Sequence, residues 1–256
     1  MRLTLIGHMA VRIELDGVTL LTDPWFGPHT WLERRLAPRT LPPAISPTAL
    51  AVDALLVSHD HLDHLDDEAL TLARRLDWIV IGSQKAARRA SRAGVRLAIP
   101  LRAGEETVLG PLTLRAVPAD HPLAADAVGF IITGSQSLYF SGDTRWTPAL
   151  LAALTPVPLD VALVQAACAH YPFLGDDGMS LPEVAALARA IRPRWTIPLH
   201  LHCAGKWLDR RAGIRVEMNN LDQIQASLAE WAAGLQTEGL SVRLLEPGQP
   251  WEAGSR

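Results

Sequence analysis

Apolar residues in the first 22 positions fall into three short blocks, 2–6, 10–15 and 18–22, each of strand length. Asp16-Gly17 between the last two has the composition of a two-residue hairpin turn. A proline-rich stretch then runs from Asp23 to Pro47 and carries Trp25, Phe26 and Trp31. It is too irregular for a helix and too aromatic for a plain linker, and loops of that length are usually functional or partly disordered. Residues 54–58 form a continuous apolar run that reads as a buried strand. A helix follows through Leu76, with Asp66 or Asp67 as its N-cap and Leu65, Ala69, Ala73 and Leu76 spaced along one side.

The alternation continues with a strand over 78–82, a helix over 84–93 and a strand over 96–99. Four further strands, 105–109, 112–118, 127–133 and 137–141, make the middle of the chain rich in β structure. Beyond them the pattern predicts a helix over 148–154, a strand over 161–164, a helix over 181–191, a strand over 195–199 and a helix over about 220–235. There is no repeat, no low-complexity segment and no composition shift that marks a boundary. The expectation is one α/β domain over residues 1–256, with two sheets inside and helices outside.

Composition agrees with a globular domain: of 256 residues, 48% are hydrophobic and 20% charged, enough for a sizeable core. The formal net charge is −3 and the basic residues form no long run, so the doublets Arg34-Arg35, Arg88-Arg89 and Arg210-Arg211 read as solvated faces. No nucleic-acid partner is expected. The two cysteines, Cys168 and Cys203, make no disulfide framework and read as reduced, small, buried hydrophobes. With no signal-peptide pattern over residues 1–11 and no apolar run of membrane length, the expected location is the cytoplasm.

The chemistry concentrates in Ser58-His59-Asp60-His61-Leu62-Asp63-His64, where four potential ligands fall just beyond a predicted strand. Imidazole nitrogen and carboxylate oxygen together suit Zn²⁺, Mn²⁺ or iron. On a tight loop His59 and His61 can point one way while Asp63 and His64 point to a second position. Two divalent ions about 3.5–4 Å apart can share one hydroxide and clamp a displacement. Chance clustering of polar residues would account for one or two of these side chains, as helix caps do for Asp66 and Asp67. It accounts poorly for three of the nine histidines standing in this one loop.

This motif resembles the HxHxDH signature of the metallo-β-lactamase superfamily. The resemblance extends along the chain through Thr22-Asp23-Pro24, His121 in Val117-Pro118-Ala119-Asp120-His121, Asp143 in Ser141-Gly142-Asp143-Thr144, and His200 in Ile197-Pro198-Leu199-His200. It implies a four-layer αββα fold with two mixed β-sheets sandwiched between helices. It also implies one ion on His59, His61 and His121, and a second on Asp63, His64 and His200, with Asp143 and a water or hydroxide between them. Zinc is the first expectation for both ions, with manganese or iron open. Ile6-Gly7-His8, Asp23-Pro24-Trp25-Phe26 and the segment from Phe173 to Ser180 are similar to one subgroup. That subgroup holds the ascorbate-6-phosphate lactonases and the phospholipase-D-type enzymes acting on N-acyl phosphatidylethanolamine.

Other branches fit less well. The interval from Asp143 to His200 is too short for the extra domain of nucleic-acid-processing members. Diiron oxygen-reducing members typically have Glu where His61 stands, and the commonest zinc β-lactamases have Cys where Asp143 stands.

The expected activity is therefore metal-dependent hydrolysis of a small ester, lactone or phosphodiester. In this reading the bridging water attacks, and Asp63 or Asp143 takes its proton. Asp60 and Asp23 are candidates to orient ligand histidines. Around the metals, His8, Trp25, His170, Tyr171, His202 and Lys206 are candidate substrate contacts, the last two suited to an anionic group. Each has an ordinary surface or turn role as its alternative, and Trp25, Phe26 and Trp31 either wall the site or pin the long loop. A small-molecule substrate and a homo-oligomer are the expected partners. An iron-dependent oxidative member of the same fold and a non-catalytic metal-bound sensor are the competing readings.

Overall fold

In the computed structural model, which describes residues 1–27, 41–167, 169–201, 215–216 and 221–254, the apolar blocks build two β-sheets packed face to face. Strands β1 (Arg2–Gly7), β2 (Ala10–Leu15) and β3 (Val18–Thr22) form an antiparallel meander. The β2–β3 turn is Asp16-Gly17, both with positive φ (51° and 81°), which is the two-residue turn whose twist matches the strands. β4 (Ala54–Val57) lies parallel to β3, and β5 (Ile79–Gly82) and β6 (Ala98–Pro100) continue the sheet in parallel.

Helix α1 (Asp67–Leu76) connects β4 to β5, and α2 (Gln84–Arg92) connects β5 to β6. Asp66 caps α1 through Ala69 N at 2.8 Å, so of the two expected capping residues it is Asp66 that serves. The helix exits through Asp77 in the left-handed conformation, and Trp78 N donates to Ala73 O. Trp78 therefore belongs to the helix exit, which is why the strand expected from residue 78 begins at Ile79.

The second sheet contains β7 (Glu106–Leu109), β8 (Leu112–Pro118), β9 (Val128–Thr133) and β10 (Ser137–Phe140) in antiparallel sequence. After α3 (Pro148–Leu154), β11 (Val161–Gln165) pairs in parallel with β10. A small antiparallel ribbon, β12 (Ala169–Tyr171) and β13 (Gly175–Asp176), precedes α4 (Leu181–Ile191). β14 (Trp195–Leu199) then completes the second sheet in parallel with β11. β15 (Arg215–Val216) joins the ribbon, α5 (Leu221–Thr237) follows, and β16 (Pro250–Glu252) adds to the β1 edge.

Alternation along the strands decides the layers. Leu3, Leu5, Val11, Ile13, Leu20 and Leu56 face Leu112, Leu114, Phe130, Ile132, Phe140 and Leu163 across the central core. The opposite face of the first sheet, with Leu21, Leu55 and Val57, packs on Ala69, Leu72 and Ala73 of α1 and Ala86 and Ala90 of α2. Ile131, Tyr139 and Val164 pack outward on Leu150 and Leu154 of α3 and Val184 and Leu187 of α4. Ala185 and Ala188 of α4 in turn receive Ala232 and Leu235 of α5. The result is the expected α/β architecture, two mixed sheets between helical layers. The ribbon, β16 and the 3-10 turn Pro47–Ala49 were not expected from the pattern, because elements of two or three residues are too short to show a period.

Topology fixes where chemistry can sit. β3 and β4 end at the same edge of the first sheet, and β8, β10, β11 and β14 run in one direction in the second. The loops that follow these strand ends meet there. Val128 N donates to Ser58 O at 3.1 Å and His200 N to His8 O at 3.4 Å, tying one sheet to the other at that edge.

Candidate metal centre

Asp23 is the first residue past β3, Ser58-His59 follow β4, His121 follows β8, Asp143 follows β10 and His200 follows β14. His8 stands in the turn between β1 and β2. Three of these residues, His8 (φ 53°), Asp23 (φ 29°) and His200 (φ 71°), hold left-handed backbone conformations that cost a non-glycine residue free energy. The other non-glycine residues with positive φ among those described are Asp16, Asp77 and Arg192, which serve a hairpin turn and two helix exits.

The loop from Ser58 to Leu65 is held from several sides. Asp23, fully buried, accepts from Ser58 N at 2.7 Å, Ser58 Oγ at 2.6 Å and His64 Nδ1 at 2.7 Å. Burial pushes the Asp23 carboxyl upward, and His64 with the two Ser58 donors opposes this. Three converging donors are what a carboxylate, not a carboxylic acid, satisfies. From α2, Arg89 Nη1 donates to Asp60 O and Leu65 O, and Nη2 donates to Asp67. Asp66, besides capping α1, accepts from Phe26 N at 2.7 Å and Gly27 N at 2.6 Å, anchoring the start of the proline-rich stretch. Across the cleft, Gly142 (φ 55°) packs so closely on Ser58 that a Cβ there would lie 2.3 Å from Ser58 Cβ.

Two clusters of donor atoms result. In the first, His59 Nε2 lies 3.0 Å and His121 Nε2 3.4 Å from His61 Nδ1. Nitrogens sharing one tetrahedral ion at about 2.1 Å stand about 3.4 Å apart, so this spacing fits a single cation. The remaining ring nitrogens are occupied: His59 Nδ1 by Ser58 Oγ at 2.9 Å, His61 Nε2 by Leu123 O at 3.2 Å, and His121 Nδ1 by Asp177 O at 2.8 Å. Burial lowers the basicity of His59 and His121, in His59 with help from the charge on His64. Neutral imidazoles oriented by a second hydrogen bond are what a metal requires.

In the second cluster, donor atoms of His8, Asp63, His64 and His200 lie within 4.8 Å of one another. Asp63 Oδ2 is 3.9 Å from His64 Nε2 and 3.8 Å from His8 Nε2. Asp143 Oδ2 reaches this cluster at 3.1 Å from His64 Nε2 and 3.5 Å from His200 Nε2. Nε2 of His64, Nε2 of His200 and Oδ1 of Asp143 are buried without a well-directed hydrogen bond among the described residues. Burial opposes charge on Asp63 and Asp143, but His64 and its imidazole neighbours outweigh it and hold both carboxyls below the usual range. The same carboxylates raise His64 and His200 against their own burial. His8 goes the other way, pushed down to about 3 by burial and by His200.

All seven residues expected to hold the ions thus converge, and so do His8 and Trp25, whose rings lie 5.1 Å apart. Asp60 does not orient a histidine; its carbonyl accepts from Arg89, and the histidines lean instead on Ser58, Asp23 and two backbone carbonyls. His170 is placed in the β12–β13 ribbon, where Nδ1 pairs with Asp176 at 2.7 Å, and Tyr171 is its neighbour on β12. That ribbon reaches the site through Asp177. Trp31, Cys168, His202, Cys203 and Lys206 lie outside the described residues. The sequence reading missed Leu123 and Asp177, whose part is played by main-chain oxygen and so has no side-chain signature.

Comparison with known proteins identifies the family and the fold. A family model described as "Beta-lactamase superfamily domain" matches residues 19–201. A "UPF0173 metal-dependent hydrolase" of Carboxydothermus hydrogenoformans is 26% identical over 261 aligned positions, covering 97% of this chain and 98% of the relative. One of the same description from Thermofilum pendens is 30% identical over 214 positions, covering 78% of this chain and 82% of the relative. Among solved structures, an isothiocyanate hydrolase from Delia radicum gut bacteria shares the fold with a TM-score of 0.79. It is 18% identical, with 98% of this chain and 99% of that one covered.

Proposed function

Because the chain belongs to the β-lactamase superfamily and, within it, to the UPF0173 metal-dependent hydrolases, we propose a two-ion site that hydrolyses a small ester, lactone or phosphodiester. The observation that carries this reading is the adjacency of the two donor clusters, His59–His61–His121 and Asp63–His64–His200, with Asp143 at the second. Two divalent cations, zinc first among the candidates, would make water nucleophilic at neutral pH and polarise the substrate oxygen.

The chain's own residues do the rest. Asp23 keeps His64 Nδ1 protonated, so Nε2 is the free donor atom, and Leu123 O does the converse for His61. Asp143 and Asp63 are held ionised by the surrounding imidazoles, and one or the other takes the proton of the attacking water. The resemblance to lactonases and phospholipase-D-type enzymes directs the substrate screen to lactones and phosphodiesters as well as simple esters.

The surroundings argue for an apolar arm on the substrate. Leu62 follows His61, Leu123 gives its carbonyl to His61, Trp146 stands three residues past Asp143, and Phe173 and Leu174 tip the ribbon that leads to Asp177. All five are exposed large hydrophobic residues, Phe173 at 98%. The nearby cation Arg145 is spent on Asp120 through two hydrogen bonds of 3.0 and 2.8 Å. No helix among the described residues is long and apolar enough to cross a membrane.

The test is elemental analysis of protein purified without chelator, with turnover of an ester, lactone and phosphodiester panel, on the parent and His61→Ala. About two equivalents of metal and measurable turnover, both reduced in the variant, support the reading. Full metal content and turnover in His61→Ala, or no metal after reconstitution, overturn it.

A further inference from the structure

We infer that His8 is a direct ligand of the second ion, so that this ion is bound by four imidazole and carboxylate donors besides Asp143. The inference rests on the two-ion reading above. His8 is buried at 1% exposure in a turn whose left-handed backbone turns its ring into the cluster. Its ring centroid is 4.0 Å from that of His200 and 6.0 Å from that of His64. Nε2 stands 3.8 Å from Asp63 Oδ2, longer than a hydrogen bond, and His64 Nε2 stands 3.9 Å from the same oxygen. With His200, these four donor atoms lie within 4.8 Å of one another. Two donors 3.8–3.9 Å apart, as His8 and His64 each are from Asp63, can share an ion about 2.3 Å from both, the length of a bond from nitrogen or oxygen to a divalent cation. The spacing is thus that of donors able to share one ion.

Two features of the fold hold His8 there. His200 N donates to His8 O at 3.4 Å, coupling the β1–β2 turn to the end of β14. Trp25, itself buried, packs edge-on against the His8 ring and restricts its rotation. The consequence is an asymmetric centre. The Asp63–His64–His200–His8 side is filled by the protein, and the three-imidazole side of His59, His61 and His121 keeps the free positions for substrate.

The experiment is zinc titration of the metal-free protein against a chromogenic chelator, comparing the parent with His8→Gly. Glycine accepts the φ of 53° without strain and leaves an imidazole-sized space. His8→Asn, which also tolerates a positive φ, is the second variant should the first fail to fold. The parent is expected to take two equivalents. In the variant the first equivalent keeps its affinity, and the second weakens by more than about 100-fold, beyond the roughly 10–100-fold that loss of an outer hydrogen bond costs. Added imidazole is expected to recover it in His8→Gly and leave the parent unchanged. Two equivalents with parental affinities in both variants overturn the inference and leave the two-ion reading standing. Fewer than two equivalents in the parent overturns both.

Discussion

Oδ2 of Asp23 lies 2.7 Å from Nδ1 of His64, and neither side chain has access to solvent. This contact ties the first strand edge to the ligand loop and selects which nitrogen of His64 faces the cluster. Asp23→Asn preserves the shape but presents an amide N–H₂ either to Ser58 or to His64, both of which now donate to the carboxylate. Zinc affinity is expected to fall about 10–100-fold, the usual effect of losing a carboxylate behind a ligand histidine. Chelator competition measures it. An unchanged affinity would mean that the loop holds His64 without Asp23.

Gly142 is a second point where backbone geometry is coupled to the site. A Cβ there would lie 2.3 Å from Ser58 Cβ and 2.7 Å from Ser58 Oγ, and the φ of 55° is itself unfavourable for alanine. Gly142→Ala is expected to destabilise the metal-free protein by at least about 2 kcal/mol in urea unfolding, from overpacking and strain together. Adding Ser58→Gly removes the opposing Cβ, so the double variant is expected to recover part of the loss. Simple additivity of the two changes would show that they do not meet.

The strands that carry the site were legible because each is an apolar run with a polar break. The motif His59–His64 was legible because its donor residues are consecutive. His121, Asp143 and His200 were found through the superfamily resemblance, from their place at strand ends in the family's order, and the fold brings them together because the preceding strands run the same way. What was hidden had no side-chain signal: the carbonyls of Leu123 and Asp177, and the two-residue strand β13 that positions Asp177. Asp60 stood only as a candidate orienting residue, because sequence spacing alone does not say which way a loop carboxylate points. Its carbonyl, not its side chain, is what the fold uses.

Asp177 predicts a pH dependence of the metal-free protein. Burial pushes its carboxyl up to about 6 from 3.8, with the charge on Asp143 adding to the shift and Ala169 N opposing it. A carboxyl raised on folding binds its proton more tightly in the folded state, so this group's contribution to stability falls as pH rises from about 4 to about 6. Asp177→Asn keeps an acceptor for Ala169 N and removes the proton, so its unfolding temperature is expected to lose that part of the slope. The difference between parent and variant, followed with chelator present, should amount to on the order of one proton over this window. Parallel pH profiles would show that Asp177 is already ionised in the folded protein. Loading with zinc is expected to remove the difference, because the nearby positive charge favours the carboxylate.

Trp146 provides the test of substrate character. It is 40% exposed, and it follows Arg145, whose backbone N and guanidinium both bond Asp120 beside His121. That double attachment fixes the loop, so the indole is presented on a rigid support. If a substrate arm covers about 50 Å² of apolar surface at this residue, the contact is worth about 1.3 kcal/mol, close to a tenfold change in kcat/KM. Trp146→Ala is expected to raise KM for esters or lactones with a long alkyl or aryl substituent and to leave acetate esters nearly unaffected, with kcat little changed for both. The graded loss with chain length is the discriminating result, since a general disturbance of the Asp143 loop would lower kcat for short and long substrates alike. Equal effects on both substrate classes would remove the apolar arm from the proposed substrate while leaving the two-ion chemistry untouched.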